Sequence, residues 1–374
     1  MKRRATVLIA VILAMALLMT CGLSGCSQSS PEQDQTQPSA DQTDQQEKQT
    51  GEKVVIGLSM GTLQEERWQR ERDFFVAKAE SLGAEVLVQS ANADENLQVS
   101  QCENLITQGI DILVVMPHNG DACGPIVESA HEADVPVIAY NRMINNAPVD
   151  FFITFDDFYV GVYQAEYALE HAEKGNWIMI GGSPTDPNAK LIRDGQMSVL
   201  QPYIDSGEIK VVVDQSPMGW NPDLALEWIE DGFAANDDNI QCVLTSNDGC
   251  AGAAVQVLTE RNLAGKIVVT GLDTDLSACQ RIVEGTQSMT VYKRLQVMAE
   301  TCAEIAVAMA LGEEIPYETE TTNNGSSDIQ CIKLHDEEDM FVVTKDNMNL
   351  VIEDNWLTKE DIYKNIPKEQ WPSD

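Results

Sequence analysis

The chain has 374 residues, a formal net charge of −36, 43% hydrophobic residues and 22% charged residues. That size and apolar content support one or two globular domains with substantial cores. The acidic balance excludes nucleic-acid binding, which needs Lys/Arg stripes, and adsorption to anionic lipid by charge alone. Four His without dense Cys/His spacing give little material for a metal site, although a Ca²⁺ site in an acidic loop stays open.

Lys2, Arg3 and Arg4 precede an uncharged apolar run from Ala5 to Met19, and Leu23-Ser24-Gly25-Cys26 follows. A basic start, a short apolar run and small residues at a cut site read as a secretory signal over 1–26. The run is shorter than the ~20 residues of a membrane-spanning helix. Leu-Ser-Gly-Cys resembles a bacterial lipobox, which implies cleavage before Cys26 and acylation of its thiol. Residues 27–53 carry no aromatic and no branched aliphatic side chain, so this stretch cannot offset its chain entropy by burial and is expected to be a disordered tether. Beyond Cys21 and Cys26, seven Cys remain, at 102, 123, 242, 250, 279, 302 and 331. They include no CxxC and lie mostly in apolar stretches, so they are expected to be core thiols.

From Val54 the pattern alternates. Apolar runs at 54–60, 85–90, 112–117, 135–140 and 151–155 predict strands. Helical stretches at 65–82, 96–108 and 122–133 separate the first four. Gly83 and Gly109 stand where left-handed helix caps are expected. The pattern then restarts with helix 160–172, strand 177–180, helix 189–205, strand 209–213, helix 222–235, strand 242–246, helix 250–261, strand 267–270, helix 276–284, strand 289–292 and helix 295–311. Val/Ile runs without polar alternation are strands covered on both faces, and strand–helix alternation gives βαβ units. The expected fold is α/β, with two doubly wound lobes facing each other across a cleft. Ligands bind such sheets at the carboxyl ends of the strands.

Those ends carry a consistent chemistry. The first strand leads to Arg67-Trp68, and the fourth ends in Asn141-Arg142. The strand at 177–180 leads to Asp186 and Asn188, the one at 209–213 to Trp220, and the one at 242–246 to Asn247-Asp248. Asp273 follows the strand at 267–270, and Lys293 follows the one at 289–292. Fork-shaped Arg, Asp and Asn match vicinal hydroxyls, while Trp stacks on an apolar sugar face. Within the Asn247-Asp248 pair, Asn247 is assigned to ligand and Asp248 to capping the next helix. Enzyme signatures are absent: no Walker A run, no GxGxxG after a strand and no GxSxG elbow. No enzyme activity and no cofactor are expected.

These segments resemble the periplasmic sugar-binding proteins of ABC importers (type I, cluster B), most closely the D-xylose-binding branch. The resemblance is carried by Glu66-Arg-Trp-Gln-Arg-Glu-Arg-Asp73, Ala139-Tyr-Asn-Arg-Met-Ile-Asn145, Gly181-Gly-Ser-Pro-Thr-Asp-Pro-Asn-Ala-Lys190 and Met289-Thr-Val-Tyr-Lys293, and it covers roughly 54–325. It implies an N-terminal lobe of 54–156 plus 290–318 and a C-terminal lobe of 157–289 plus 319–374. Hinge crossings are implied near 145–157, 273–290 and 318–334. Arg67, Trp68, Asn141 and Arg142 would face a monosaccharide from the first lobe, and Asp186, Asn188, Asn247 and Asp273 from the second. Trp220 would stack on its face and Lys293 would lie at a crossing. The family usually has Asp where Asn141 stands, which leaves the sugar open: D-xylose first, with another pentose or glucose as alternatives. The implied protein is an extracytoplasmic, lipid-anchored monomer that closes on its sugar and delivers it to an ABC permease. A lipoprotein that reports sugar to a membrane histidine kinase or chemoreceptor is the other output compatible with the chain.

Overall fold

Three apolar runs dominate the centre of the first lobe: β1 (Val55–Met60), β3 (Ile112–Met116) and β5 (Phe151–Phe155), with β3 and β5 buried along their whole lengths. With β2 (Glu85–Ser90) and β4 (Val137–Tyr140) they form a parallel sheet in the order β2-β1-β3-β4-β5. The connecting helices are α1 (Glu66–Ser81), α2 (Glu95–Thr107) and α3 (Gly124–Glu132). The computed structural model describes residues 53–335 and 339–372. The expected signal, the acylated Cys26 and all but the last residue of the expected tether lie outside the described residues.

After β5 the chain enters the second lobe through α4 (Asp157–His171). There β6 (Gly175–Ile180), β7 (Ile209–Gln215), β8 (Cys242–Thr245) and β9 (Val268–Val269) form a parallel sheet in the order β7-β6-β8-β9. Helices α5 (Pro187–Asp205), α6 (Pro222–Ala235), α7 (Asp248–Glu260) and α8 (Leu276–Glu284) connect and follow these strands. Helices α4 and α5 cross closely because both are glycine at the contact. A Cβ on Gly161 would lie 1.9 Å from the Ile192 carbonyl oxygen, and one on Gly195 would lie 2.0 Å from that of Phe158.

The last third moves back and forth. β10 (Thr290–Lys293) stays with the second lobe, since Val291 bridges Leu272. Helix α9 (Leu295–Leu311) returns to the first lobe, where Met298, Ala299 and Cys302 join Phe75 and Ala79 of α1 in one core. β11 (Glu320–Asn323) and β12 (Asp328–Leu334) then extend the first sheet, with β12 parallel to β5. β13 (Met340–Val343) pairs antiparallel with β10. Two expected boundaries are therefore corrected. Residues 319–334 belong to the first lobe, because Ile329 and Cys331 of β12 are buried in its core, and residues 290–293 belong to the second. The chain crosses at β5–α4 and at Arg294, and at β13 it is again paired with the second lobe's β10.

Two short helices, α10 (Asn349–Glu353) and α11 (Lys359–Ile362), end the described chain. Between them, Trp356 ties the lobes together: its carbonyl accepts from Arg70 Nη1 of α1 at 2.7 Å, and its Nε1 donates to the Thr274 carbonyl at 3.0 Å. All seven expected core thiols are buried and free.

Candidate functional site

The carboxyl ends of the two parallel sheets meet at one cleft. Arg67, Trp68, Asn141, Arg142, Asp186, Asn188, Trp220, Asn247, Asp273 and Lys293 all line it, and it opens to solvent. Four further residues complete the lining: Glu65, Asp157, Ile192 and Leu272.

The first-lobe wall is built on cations. Arg67 lies in the first turn of α1, where a positive charge opposes the helix dipole. Glu71, one turn on, compensates: its Oε1 accepts from Arg67 Nε at 2.8 Å, and its Oε2 accepts from Tyr140 OH at 2.5 Å. Burial alone would lower the Arg67 pKa, but the Glu71 and Asp273 carboxylates more than reverse this and keep it charged. Arg142 follows β4. The Arg67 and Arg142 guanidiniums lie 4.2 and 5.2 Å from the Trp68 ring centroid, within cation–π range. Asn141 takes a left-handed backbone conformation (φ 61°), and its carbonyl accepts from Thr154 Oγ1 and Asn188 Nδ2.

The second-lobe wall is built on helix N-termini. Asp186 caps α5 by accepting from the Asn188 N–H at 3.0 Å, and its other oxygen accepts from Trp220 Nε1 at 3.0 Å. The Trp220 ring lies flush against Gly182: a Cβ there would sit 2.1 Å from the ring, so only glycine fits. Asn247 caps α7, accepting from the Cys250 N–H at 3.0 Å. The assignment of capping to Asp248 is thereby corrected. Its carboxylate instead accepts from Gln287 Nε2, Thr290 Oγ1 and the Asp275 N–H, and burial raises its pKa. Asp273 has φ 98° where the chain leaves β9. Lys293 donates to Asp157 Oδ1 at 2.9 Å, both being essentially inaccessible. Burial raises the Asp157 pKa and the Lys293 charge opposes that rise.

Two ion pairs join the walls: Arg67 Nη1 to Asp273 Oδ1 at 2.8 Å and Arg142 Nη2 to Asp186 Oδ2 at 2.6 Å. The two arginines and Lys293 are thus matched by three carboxylates, which leaves the Glu65 carboxylate over. What remains is a set of shielded polar atoms without hydrogen-bond partners: the donors Arg67 Nη2, Arg142 Nε and Asn141 Nδ2, and the acceptors Glu65 Oε2 and Asp157 Oδ2. Buried polar atoms are rarely left unpaired, and five lining one cleft mark a place built for a polar ligand. Sequence reasoning did not single out Glu65 or Asp157. Their signal was position alone, just before α1 and just after β5.

A model of the periplasmic binding protein domain matches residues 56–314, more than half of the chain. The chain belongs to the periplasmic binding protein family. It is a binding protein and not an enzyme. It is 49% identical over 276 residues to the D-xylose-binding periplasmic protein of Escherichia coli, covering 74% of this chain and 83% of that one. The D-xylose-binding periplasmic protein of Haemophilus influenzae is 47% identical over 311 residues, covering 83% and 92%. Among solved structures, an ABC transporter solute-binding protein of Clostridium phytofermentans with bound β-D-glucose superposes with a TM-score of 0.75 at 29% identity, covering 82% of this chain and 99% of that one.

Proposed function

We propose that this protein captures a monosaccharide in the cleft, D-xylose first, and hands it to an ABC importer in the membrane. The observation that carries the reading is the set of five shielded, unpartnered donors and acceptors lining a cleft whose two arginines are already paired with carboxylates. A neutral polyhydroxyl ligand can use those atoms without breaking an ion pair. Each hydroxyl both donates and accepts, matching a lining of mixed sign. A sugar phosphate would have to compete with Asp186 and Asp273 for the same guanidiniums. Relatives at 47–49% identity named for D-xylose support the choice of sugar.

Delivery follows from contacts on both walls. A ligand held by Arg67 and Arg142 on one side and by Asp186, Asn188 and Asn247 on the other stabilises the closed lobes over open ones. The Leu23–Cys26 motif supports anchoring outside the cytoplasm through an acylated Cys26, which raises the effective concentration of the binder at its permease. Cys26→Ser should release the protein from the membrane fraction; undiminished membrane retention would mean another anchor.

Calorimetric titration with D-xylose, L-arabinose, D-ribose and D-glucose tests the binding reading. D-Xylose is expected to bind tightest. Arg142→Ala is expected to weaken it by roughly ten- to a hundredfold, since a hydrogen bond to a charged group contributes about 1.5–3 kcal/mol. Tighter glucose than xylose binding would overturn the pentose assignment, and unchanged affinity in Arg142→Ala would overturn the site.

A further inference from the structure

Glu65 occupies the N-cap position of α1, yet its side chain makes no cap hydrogen bond. It instead lines the cleft and, with Trp220 and His118, a wider space beside it that opens to solvent. Its Oε2 is shielded and unpartnered. Arg142, Arg67 and Asp273 stand close enough to act on its charge, and burial raises its pKa.

The rest of the first-lobe wall gives this placement its meaning. That wall consists of Glu65, Arg67, Trp68, Asn141 and Arg142. Guanidiniums only donate and an indole only donates. The Asn141 side-chain oxygen is 3.3 Å from Asn188 Nδ2, which leaves its unpartnered Nδ2 as the group it can offer. The Glu71 carboxylate lies behind the wall, held by Arg67 and Tyr140. A hydroxyl that accepts from Arg142 Nε or Asn141 Nδ2 must give its own hydrogen to something, and among the described residues Glu65 is the carboxylate lining that wall.

We propose that Glu65 is a ligand-contacting, specificity-determining residue that accepts a sugar hydroxyl hydrogen on the first-lobe wall, where position 141 supplies an amide. This inference rests on the sugar-binding reading. An acceptor there selects among sugars that differ in the orientation of one hydroxyl, because a hydroxyl turned away leaves the carboxylate buried without a donor.

The test combines Glu65→Gln with Glu65→Gln/Asn141→Asp. Three quantities are measured on each protein and on wild type: affinity for the four sugars, their rank order, and the melting temperature without sugar. Glu65→Gln is expected to bind the preferred sugar tenfold or more weakly and to compress or reorder the ranking. Its ligand-free melting temperature should not fall, because Oε2 has no partner to lose and burial disfavours the Glu65 charge more than Arg142 and Arg67 favour it. Asn141→Asp in the same chain is expected to recover part of the affinity by returning a carboxylate to that wall. Wild-type affinities and ranking in Glu65→Gln would overturn this proposal while leaving the sugar reading intact. A loss of affinity with a matching fall in melting temperature and no recovery in the double variant would make Glu65 structural and overturn it too. A wild type that binds none of the four sugars would overturn the sugar reading and this inference with it.

Discussion

The two walls of the cleft carry similar numbers of polar groups but are held up differently. On the second-lobe wall, Asp186 and Asn247 sit at helix N-termini, where an acceptor satisfies backbone N–H groups and the dipole favours negative charge. Local sequence is enough to hold them. On the first-lobe wall, Arg67 sits at the start of α1, which favours the opposite charge, and it is buried. It persists because Glu71 and Asp273 grip it from two sides, and Glu71 in turn is fixed by Tyr140. One wall is self-capping, and the other depends on a relay of buried partners reaching across the lobes.

The largest expected effect breaks that relay. Arg67→Ala leaves Glu71 buried with its positive partner gone and frees Asp273. Removing one member of a buried pair costs about 3–5 kcal/mol, so the denaturation midpoint without sugar should fall sharply. An unchanged midpoint would show that the first wall needs no such support. The smaller effect comes from the other side. Asn247→Ala removes a single cap from α7, for which the loss is about 1 kcal/mol. A midpoint shift as large as that of Arg67→Ala would erase the contrast between the walls.

That contrast also explains what the sequence disclosed. All ten candidate residues converge because parallel strands bring their carboxyl ends to one side of a sheet, so a residue's place after a strand predicts its place in the cleft. Strands and helices from 54 to 311 were legible for a similar reason: each is an apolar run or an amphipathic stretch of adequate length. Glu65 was one acid among sixty acidic residues, and only the fold shows that it lines the cleft instead of capping α1. Asp157 is defined by Lys293, 136 residues away. The Asn247-Asp248 assignment depended on which of two adjacent capping types takes the cap, a choice set by Gln287 and Thr290, which occupy Asp248 from the distant segment entering β10. Strands β11 to β13 are short, and β12 finds its partner β5 179 residues earlier in the chain, so nothing local marks their lobe.

The central claim is that one sugar is held by both walls at once. A crystal structure at saturating D-xylose tests it most directly. The account predicts a single pyranose ring in the cleft, stacked on Trp220. It should lie within hydrogen-bond distance of Arg67 or Arg142 on one side and of Asp186, Asn188 or Asn247 on the other. A sugar contacting only one lobe, or bound outside this cleft, would contradict it.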